Sequence, residues 1–102
     1  MTEEETRILV SSCLKNDRAA QERFYYLYCD KMYAVCMYYA DDRAEASDYL
    51  QEGFIRAFSK LHLFKFQGSL EGWVRRIIVN VALSNIRKKK RLFEVSARIE
   101  DI

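Results

Sequence analysis

The sequence has no proline and only three glycines, Gly53, Gly68 and Gly72. These two residues are the strongest breakers of regular backbone, so sharp interruptions are few and long helices are favoured. Histidine occurs once, as His62, and the three cysteines, Cys13, Cys29 and Cys36, show no Cys-x-x-Cys spacing. A zinc site needs several such ligands at short spacing, so no metal site is expected. An odd number of cysteines inside apolar helical patterns does not read as a disulfide framework but as small buried hydrophobes. No apolar run approaches the roughly 20 residues that span a bilayer. The N-terminus Met1-Thr2-Glu3-Glu4-Glu5 is acidic where a secretory signal is basic. No membrane insertion and a cytoplasmic location are therefore expected. Also missing are a nucleophile–base pair, a phosphate-cradling glycine loop and a metal cluster, so neither an enzyme nor a cofactor is expected.

With 50% hydrophobic and 31% charged residues in a chain of 102, the sequence reads as globular, with length for one core. Its net charge is only +2, yet the distribution is uneven. Residues 1–63 carry 8 Lys or Arg against 11 Asp or Glu, residues 64–91 carry 8 against 1, and residues 92–102 carry 1 against 3. One short segment thus holds the excess positive charge, the electrostatic footprint of a nucleic-acid surface on a more acidic body. A solvated helix end reads equally well from charge alone.

Apolar spacing divides the chain into about four helices in a single compact all-α bundle. Thr2 and Glu5 form a capping box that opens a first helix to about Lys15, with Ile8, Leu9 and Leu14 among its apolar positions. A second runs from near Asp17 to about Ala40 and carries Phe24, Leu27, Tyr28, Met32, Val35, Cys36 and Tyr39 at three- and four-residue spacing. A third, from about Arg43 to His62, places Leu50, Phe54, Ala57, Phe58 and Leu61 on one stripe. After a loop from Leu63 to Gly68, Ser69 caps a last helix expected to end near Arg91. The acidic stretch from Glu94 onward reads as the start of a linker.

Two helix faces and one loop carry the functional argument. On the third helix, Asp48, Gln51, Glu52, Ile55 and Ser59 lie opposite the apolar stripe. They read either as an ordinary solvated face or as a docking surface with an apolar centre and orienting charges. On the last helix, Val74, Ile77, Ile78 and Val81 form the expected buried stripe. A separate face carries Arg76, Asn80, Leu83, Arg87 and Lys90. The run Arg87-Lys88-Lys89-Lys90-Arg91 suits phosphate contacts, with Asn80 available to a base edge. The loop Phe64-Lys65-Phe66-Gln67-Gly68-Ser69 mixes aromatic, cationic and hydrogen-bonding groups, a combination that can stack and read an extruded base. One of its phenylalanines is expected to fold back into the core. Trp73 is expected to pack there too, with one edge near the loop.

The stretch Asp48-Tyr49-Leu50-Gln51-Glu52-Gly53-Phe54-Ile55-Arg56-Ala57-Phe58, followed by Gly68-Ser69-Leu70-Glu71-Gly72-Trp73-Val74-Arg75-Arg76-Ile77-Ile78-Val79-Asn80, resembles the extracytoplasmic-function (ECF) RNA polymerase sigma factors of the sigma-70 family, in their region 2. The resemblance runs from about residue 5 to 91 in order and spacing. It implies a region 2 helical bundle over residues 1–91 whose third helix docks on the β′ clamp helices of core RNA polymerase through Asp48, Gln51, Glu52, Ile55 and Ser59. It implies that the loop and last helix recognise and melt the minus-ten promoter element and capture a flipped base of the single-stranded non-template strand. The residues so implicated are Lys65, Phe66, Gln67, Ser69, Trp73, Arg76, Asn80 and Arg87, with Lys88, Lys90 and Arg91 on the backbone. An anti-sigma factor is a further implied partner.

Two residues depart from the family pattern. Gly53 stands mid-helix where the family usually has an aliphatic residue, and Gly72 weakens the first turn of the last helix by roughly 1 kcal/mol relative to alanine. Family members also continue through a linker into a helix-turn-helix domain, region 4. Residues 92–102 are expected to begin that linker, in a truncated chain. A competing reading from the residues is a helical adaptor whose basic helix binds an acidic partner; it would show no sequence preference for DNA.

Overall fold

Every α-helix in the computed structural model, which describes residues 1–101, starts at a polar side chain that takes up an otherwise unpaired backbone N–H. Thr2 Oγ1 accepts from the Glu5 N–H and Glu5 Oε1 accepts from the Thr2 N–H, both at 3.1 Å, and the resulting capping box opens α1 (Glu3–Leu14). Asp17 caps α2 (Arg18–Tyr39) by accepting from the Ala20 N–H at 3.3 Å, and Asp42 caps α3 (Arg43–Lys60) from Glu45 at 2.8 Å. A 3-10 turn, Leu61–Leu63, follows α3. Ser69 caps α4 (Leu70–Glu100) by accepting from the Gly72 N–H at 3.0 Å. A Cβ at Gly72 would stand only 3.0 Å from Ser69 Oγ, so this glycine lets the cap close tightly. The all-α bundle expected from the sequence is the fold observed, and no helix among the described residues is long and apolar enough to cross a membrane.

Helices α2, α3 and α4 pack on one another, and α1 lies along α2. Phe24 is fully buried at the centre, with ring contacts to Tyr28 at 5.5 Å, Phe58 at 5.1 Å and Phe54 at 6.3 Å. Val74, Ile78 and Val81 bring α4 into the same core. Their 3–4 spacing makes one stripe of α4 apolar.

Several apolar positions lie elsewhere than expected. Leu9, Val10 and Cys13 are the buried residues of α1, whereas Ile8 and Leu14 are exposed; Leu27 of α2 is also exposed. On α3 the buried set is Ala46, Tyr49, Gly53, Phe54 and Ala57, with Leu50 and Phe58 only partly covered. Ile77 of α4 is half-buried. The largest difference is the end of α4, which continues to Glu100 instead of stopping near Arg91. Apolar periodicity reports burial, and residues 87–101 are all exposed, so the pattern fades where the helix leaves the body. The backbone there holds no proline or glycine to stop the helix. The protruding end gives the molecule extents of 60 × 24 × 23 Å.

Gly53 lies at a close contact between α3 and α4. A Cβ on it would overlap Ile78 Cδ1 and lie 3.2 Å from Ile78 Cγ1 and 3.4 Å from Ile78 Cα. The departure from an aliphatic residue is thus matched by a fully buried isoleucine that fills the space. Alongside, a polar network ties the start of α3 to α4. Tyr49 Oη donates to Glu45 Oε1 at 2.6 Å, and Lys89 Nζ donates to Asp41 Oδ2 at 2.8 Å and to Glu45 Oε2. Hydrogen bonds from Lys89 and then Tyr49 hold the Glu45 carboxyl below its ordinary range. Burial and the Glu45 carboxylate push the Tyr49 hydroxyl up to about 12. The ion pairs of Lys89 are half exposed, so they orient the elements more than they stabilise them.

If Gly53 and Ile78 share one volume, Gly53→Ala alone should destabilise the fold, since overpacking of about 1–3 kcal/mol exceeds the roughly 1 kcal/mol gained in helix propensity. In an Ile78→Val background, which removes Cδ1, the same change should be neutral or stabilising by up to about 1 kcal/mol. Urea unfolding of the wild type, both single variants and the double variant measures the coupling; strictly additive effects would show that the two residues do not compete for space.

Candidate functional site

The exposed side of α3 forms one candidate surface. Asp48, Gln51, Ile55 and Ser59 face solvent at three- and four-residue steps, so the four share one face. Ile55 is 64% exposed at its centre, an apolar side chain ringed by polar ones. Ser59 Oγ donates to the Arg56 carbonyl at 3.0 Å. Glu52 differs from the expectation of a free outward carboxylate. It is half-buried and accepts from Asn85 Nδ2 at 3.1 Å, while the same amide nitrogen donates to the Val81 carbonyl at 2.8 Å. Glu52 therefore joins α3 to α4 with one oxygen while bordering the exposed face.

The second surface combines α4 with the loop before it. Arg76, Asn80, Arg87, Lys88, Lys90 and Arg91 are exposed, and Leu83 is half-buried between them. Among the described residues, no carboxylate pairs with any of these cations. Lys89 is the exception within the basic run. It was expected to meet phosphate or solvent, and it instead bonds to Asp41 and Glu45, acids more than forty residues away in sequence and brought close by the α3–α4 packing.

In the loop, Phe64 is the phenylalanine that folds into the core. Its ring meets Trp73 at 5.5 Å and Phe66 at 4.8 Å, so Trp73 is half-buried in an aromatic stack. Phe66 has φ +58° and Gly68 has φ +85°. The left-handed region suits glycine but costs another residue on the order of 1–3 kcal/mol, a strain that surrounding contacts must hold. Phe66 is held by Phe64 and by Arg7 of α1, whose guanidinium carbon lies 4.3 Å from the ring centroid. Arg7 also pairs with Glu3 at 3.2 Å.

Lys65, Gln67 and Ser69 remain exposed around this held ring. A cleft of about 650 Å3 opens beside Ser69 and Phe66, bordered also by Thr6, Leu27, Lys31 and Gly68. Its lining mixes apolar side chains with polar and charged ones, the carboxylates of Glu3 and Glu71 and the Lys31 ammonium among them. The sequence marks the loop but not its neighbours Arg7 and Lys31, nor Asn85 as the partner of Glu52, because none lies in a basic run or on a periodic face. Arg7 is 59 positions from Phe66. The cysteines remain free, with Cys13 and Cys36 buried; burial pushes the Cys36 thiol up to about 11.

The chain is similar to known proteins in sequence and in fold. The chain is 33% identical over 85 residues to the ECF RNA polymerase sigma factor SigW of Bacillus subtilis (strain 168), covering 83% of this chain and 46% of that protein. It is 28% identical over 91 residues to the RNA polymerase sigma-H factor of Pseudomonas aeruginosa, covering 89% of this chain and 47% of that protein. The chain thus spans about half the length of these two relatives. Among solved structures, an engineered region 2 of sigmaE in complex with GTAAAA superposes with a TM-score of 0.78 at 26% identity, covering 92% of this chain and 95% of that one. Residues 24–92 match Sigma-70 region 2, a span that runs from the central phenylalanine of the core through the basic run of α4, and this chain belongs to that family.

Proposed function

We propose that this chain is the core-binding and minus-ten-recognising region of an ECF-type RNA polymerase sigma factor, acting in the cytoplasm on transcription initiation and performing no catalysis of its own. The observation that carries the reading is the likeness, over 92% of the chain, to a sigmaE region 2 solved with a GTAAAA oligonucleotide. In this reading residues 1–91 are the working unit, and residues from 92 onward lead toward a helix-turn-helix domain. An anti-sigma factor is the expected antagonist.

The α3 face suits docking on the β′ clamp helices. Ile55 supplies desolvated apolar contact, while Asp48, Gln51, Glu52 and Ser59 set orientation by charge and hydrogen bonding. On α4, Arg87, Lys88, Lys90 and Arg91 suit phosphates, whose contacts position the protein without reading sequence. Arg76 and Asn80 lie one helical turn apart on the exposed side, where Asn80 can pair with a base edge. Phe66 and Ser69 line the cleft that would take an extruded non-template base, with Lys65 and Gln67 exposed on the same loop and Trp73 packed behind Phe64. Unstacking a base costs a few kcal/mol, and a cleft that binds the extruded form favours the melted promoter by that differential affinity.

Asp48→Lys and Ile55→Asp should each abolish binding to core polymerase with little change in melting temperature, because both side chains are exposed and their work is intermolecular. Glu52→Lys should lose binding and also lower the melting temperature, since it breaks the bond to Asn85. Pull-down with core enzyme alongside thermal unfolding separates the two effects, and undiminished binding by Asp48→Lys and Ile55→Asp would contradict the docking assignment.

On DNA, Asn80→Ala should cost about 1–3 kcal/mol on a preferred single-stranded oligonucleotide and far less on a scrambled one. Lys88→Ala or Arg91→Ala should weaken both alike and flatten the salt slope by up to about 0.7 each. Fluorescence-anisotropy titrations at two salt concentrations distinguish these outcomes; equal losses on both oligonucleotides for Asn80→Ala would remove it from base readout. If the wild type itself shows no sequence preference, the adaptor reading replaces this one.

A further inference from the structure

We infer that Arg7, on α1 and outside the span matching the region 2 family, is a positioning residue for base capture that sets the shape of the recognition loop by clamping the Phe66 ring. The inference rests on the proposed reading of that loop and extends it to a helix that the basic-run argument does not touch.

Three observations carry it. The Arg7 guanidinium lies over the face of Phe66 at 4.3 Å, well inside the range of a cation–π contact. Phe66 holds a left-handed backbone conformation that its own side chain disfavours, so the loop needs an external contact to keep it. The ring is not loosely placed, because it also packs at 4.8 Å against Phe64, which in turn meets Trp73 at 5.5 Å. Arg7, Phe66, Phe64 and Trp73 therefore form one continuous stack from α1 to the head of α4.

The stack changes the role of Phe66. With Arg7 over one face and Phe64 against the ring, Phe66 serves as a fixed wall of the neighbouring cleft rather than a free platform for stacking. Its fixed position in turn holds Lys65 and Gln67, the residues on either side, in their exposed orientation. Glu3, bonded to Arg7 at 3.2 Å, steadies the guanidinium one helical turn away.

The sole tryptophan makes this testable without DNA. Arg7→Ala should alter Trp73 fluorescence and near-ultraviolet circular dichroism while leaving far-ultraviolet helicity intact. It should also reduce the ratio of affinities for cognate over scrambled single-stranded oligonucleotide by roughly two- to fivefold, the factor corresponding to an exposed cation–π contact. Arg7→Lys should recover part of that ratio. In a Phe66→Leu background, Arg7→Ala should have no further effect on it, because the clamp then has no ring to hold. An equal loss on cognate and scrambled oligonucleotides would make Arg7 a simple phosphate contact and overturn the inference. So would a lowered melting temperature with an unchanged affinity ratio. A wild type that shows no preference at all would overturn the base-capture reading itself and the inference with it, an outcome distinct from a wild type that discriminates and an Arg7→Ala variant that discriminates equally well.

Discussion

The close crossing of α3 over α4 constrains most of what this molecule can do. Because Gly53 lacks a side chain, Ile78 can fill the space above it, and the two helix backbones approach within side-chain contact of each other. That approach brings Glu52 within 3.1 Å of Asn85 and puts Lys89 between Asp41 and Glu45. The orientation of the outer face of α3 relative to the basic face of α4 is thereby fixed by packing at Gly53 and by polar bonds from Asn85 and Lys89 further along α4. The two surfaces are held in one packed unit, so a partner docked on α3 would fix where α4 points.

Charge follows the same division. The acids gather on the body, with Asp41 and Glu45 neutralising the single α4 lysine that leans back against it. The cations that point away keep no such partner among the described residues, which leaves them available for phosphate. The loop is governed by geometry instead. The Arg7 guanidinium of α1 and the rings of Phe66, Phe64 and Trp73 form a line of contacts to α4, and Phe66 within it has a strained backbone. Strain of this kind is kept where surrounding contacts over-determine the conformation, and the cleft opens beside it.

Much of the fold was legible in the sequence. Thr2 and Ser69 announced two helix starts through their capping chemistry, and the α4 stripe of Val74, Ile78 and Val81 lies in the core as its spacing implies. Tyr49 and Gly53 were not anticipated as core positions, because a hydroxyl and a missing side chain both hide burial from a hydrophobic pattern. The α4 end was misjudged at Arg91 because exposed helix has no apolar period to follow. For the candidate site, exposure of Asp48, Gln51, Ile55, Asn80 and the basic run could be read from helical spacing alone. The bonding of Glu52 to Asn85, of Lys89 to Asp41 and of Arg7 to Phe66 joins residues 33, 48 and 59 positions apart, and only the packing of the helices reveals such pairs.

A single rigid unit that carries both surfaces should engage both partners together. The direct test is to saturate the chain with an isolated β′ clamp-helix fragment and then titrate a minus-ten non-template oligonucleotide, following the stoichiometry by analytical ultracentrifugation. The expected result is a 1:1:1 complex in which the oligonucleotide binds at least as tightly as to the chain alone. Displacement of the clamp fragment by the oligonucleotide would contradict the separation of the two faces.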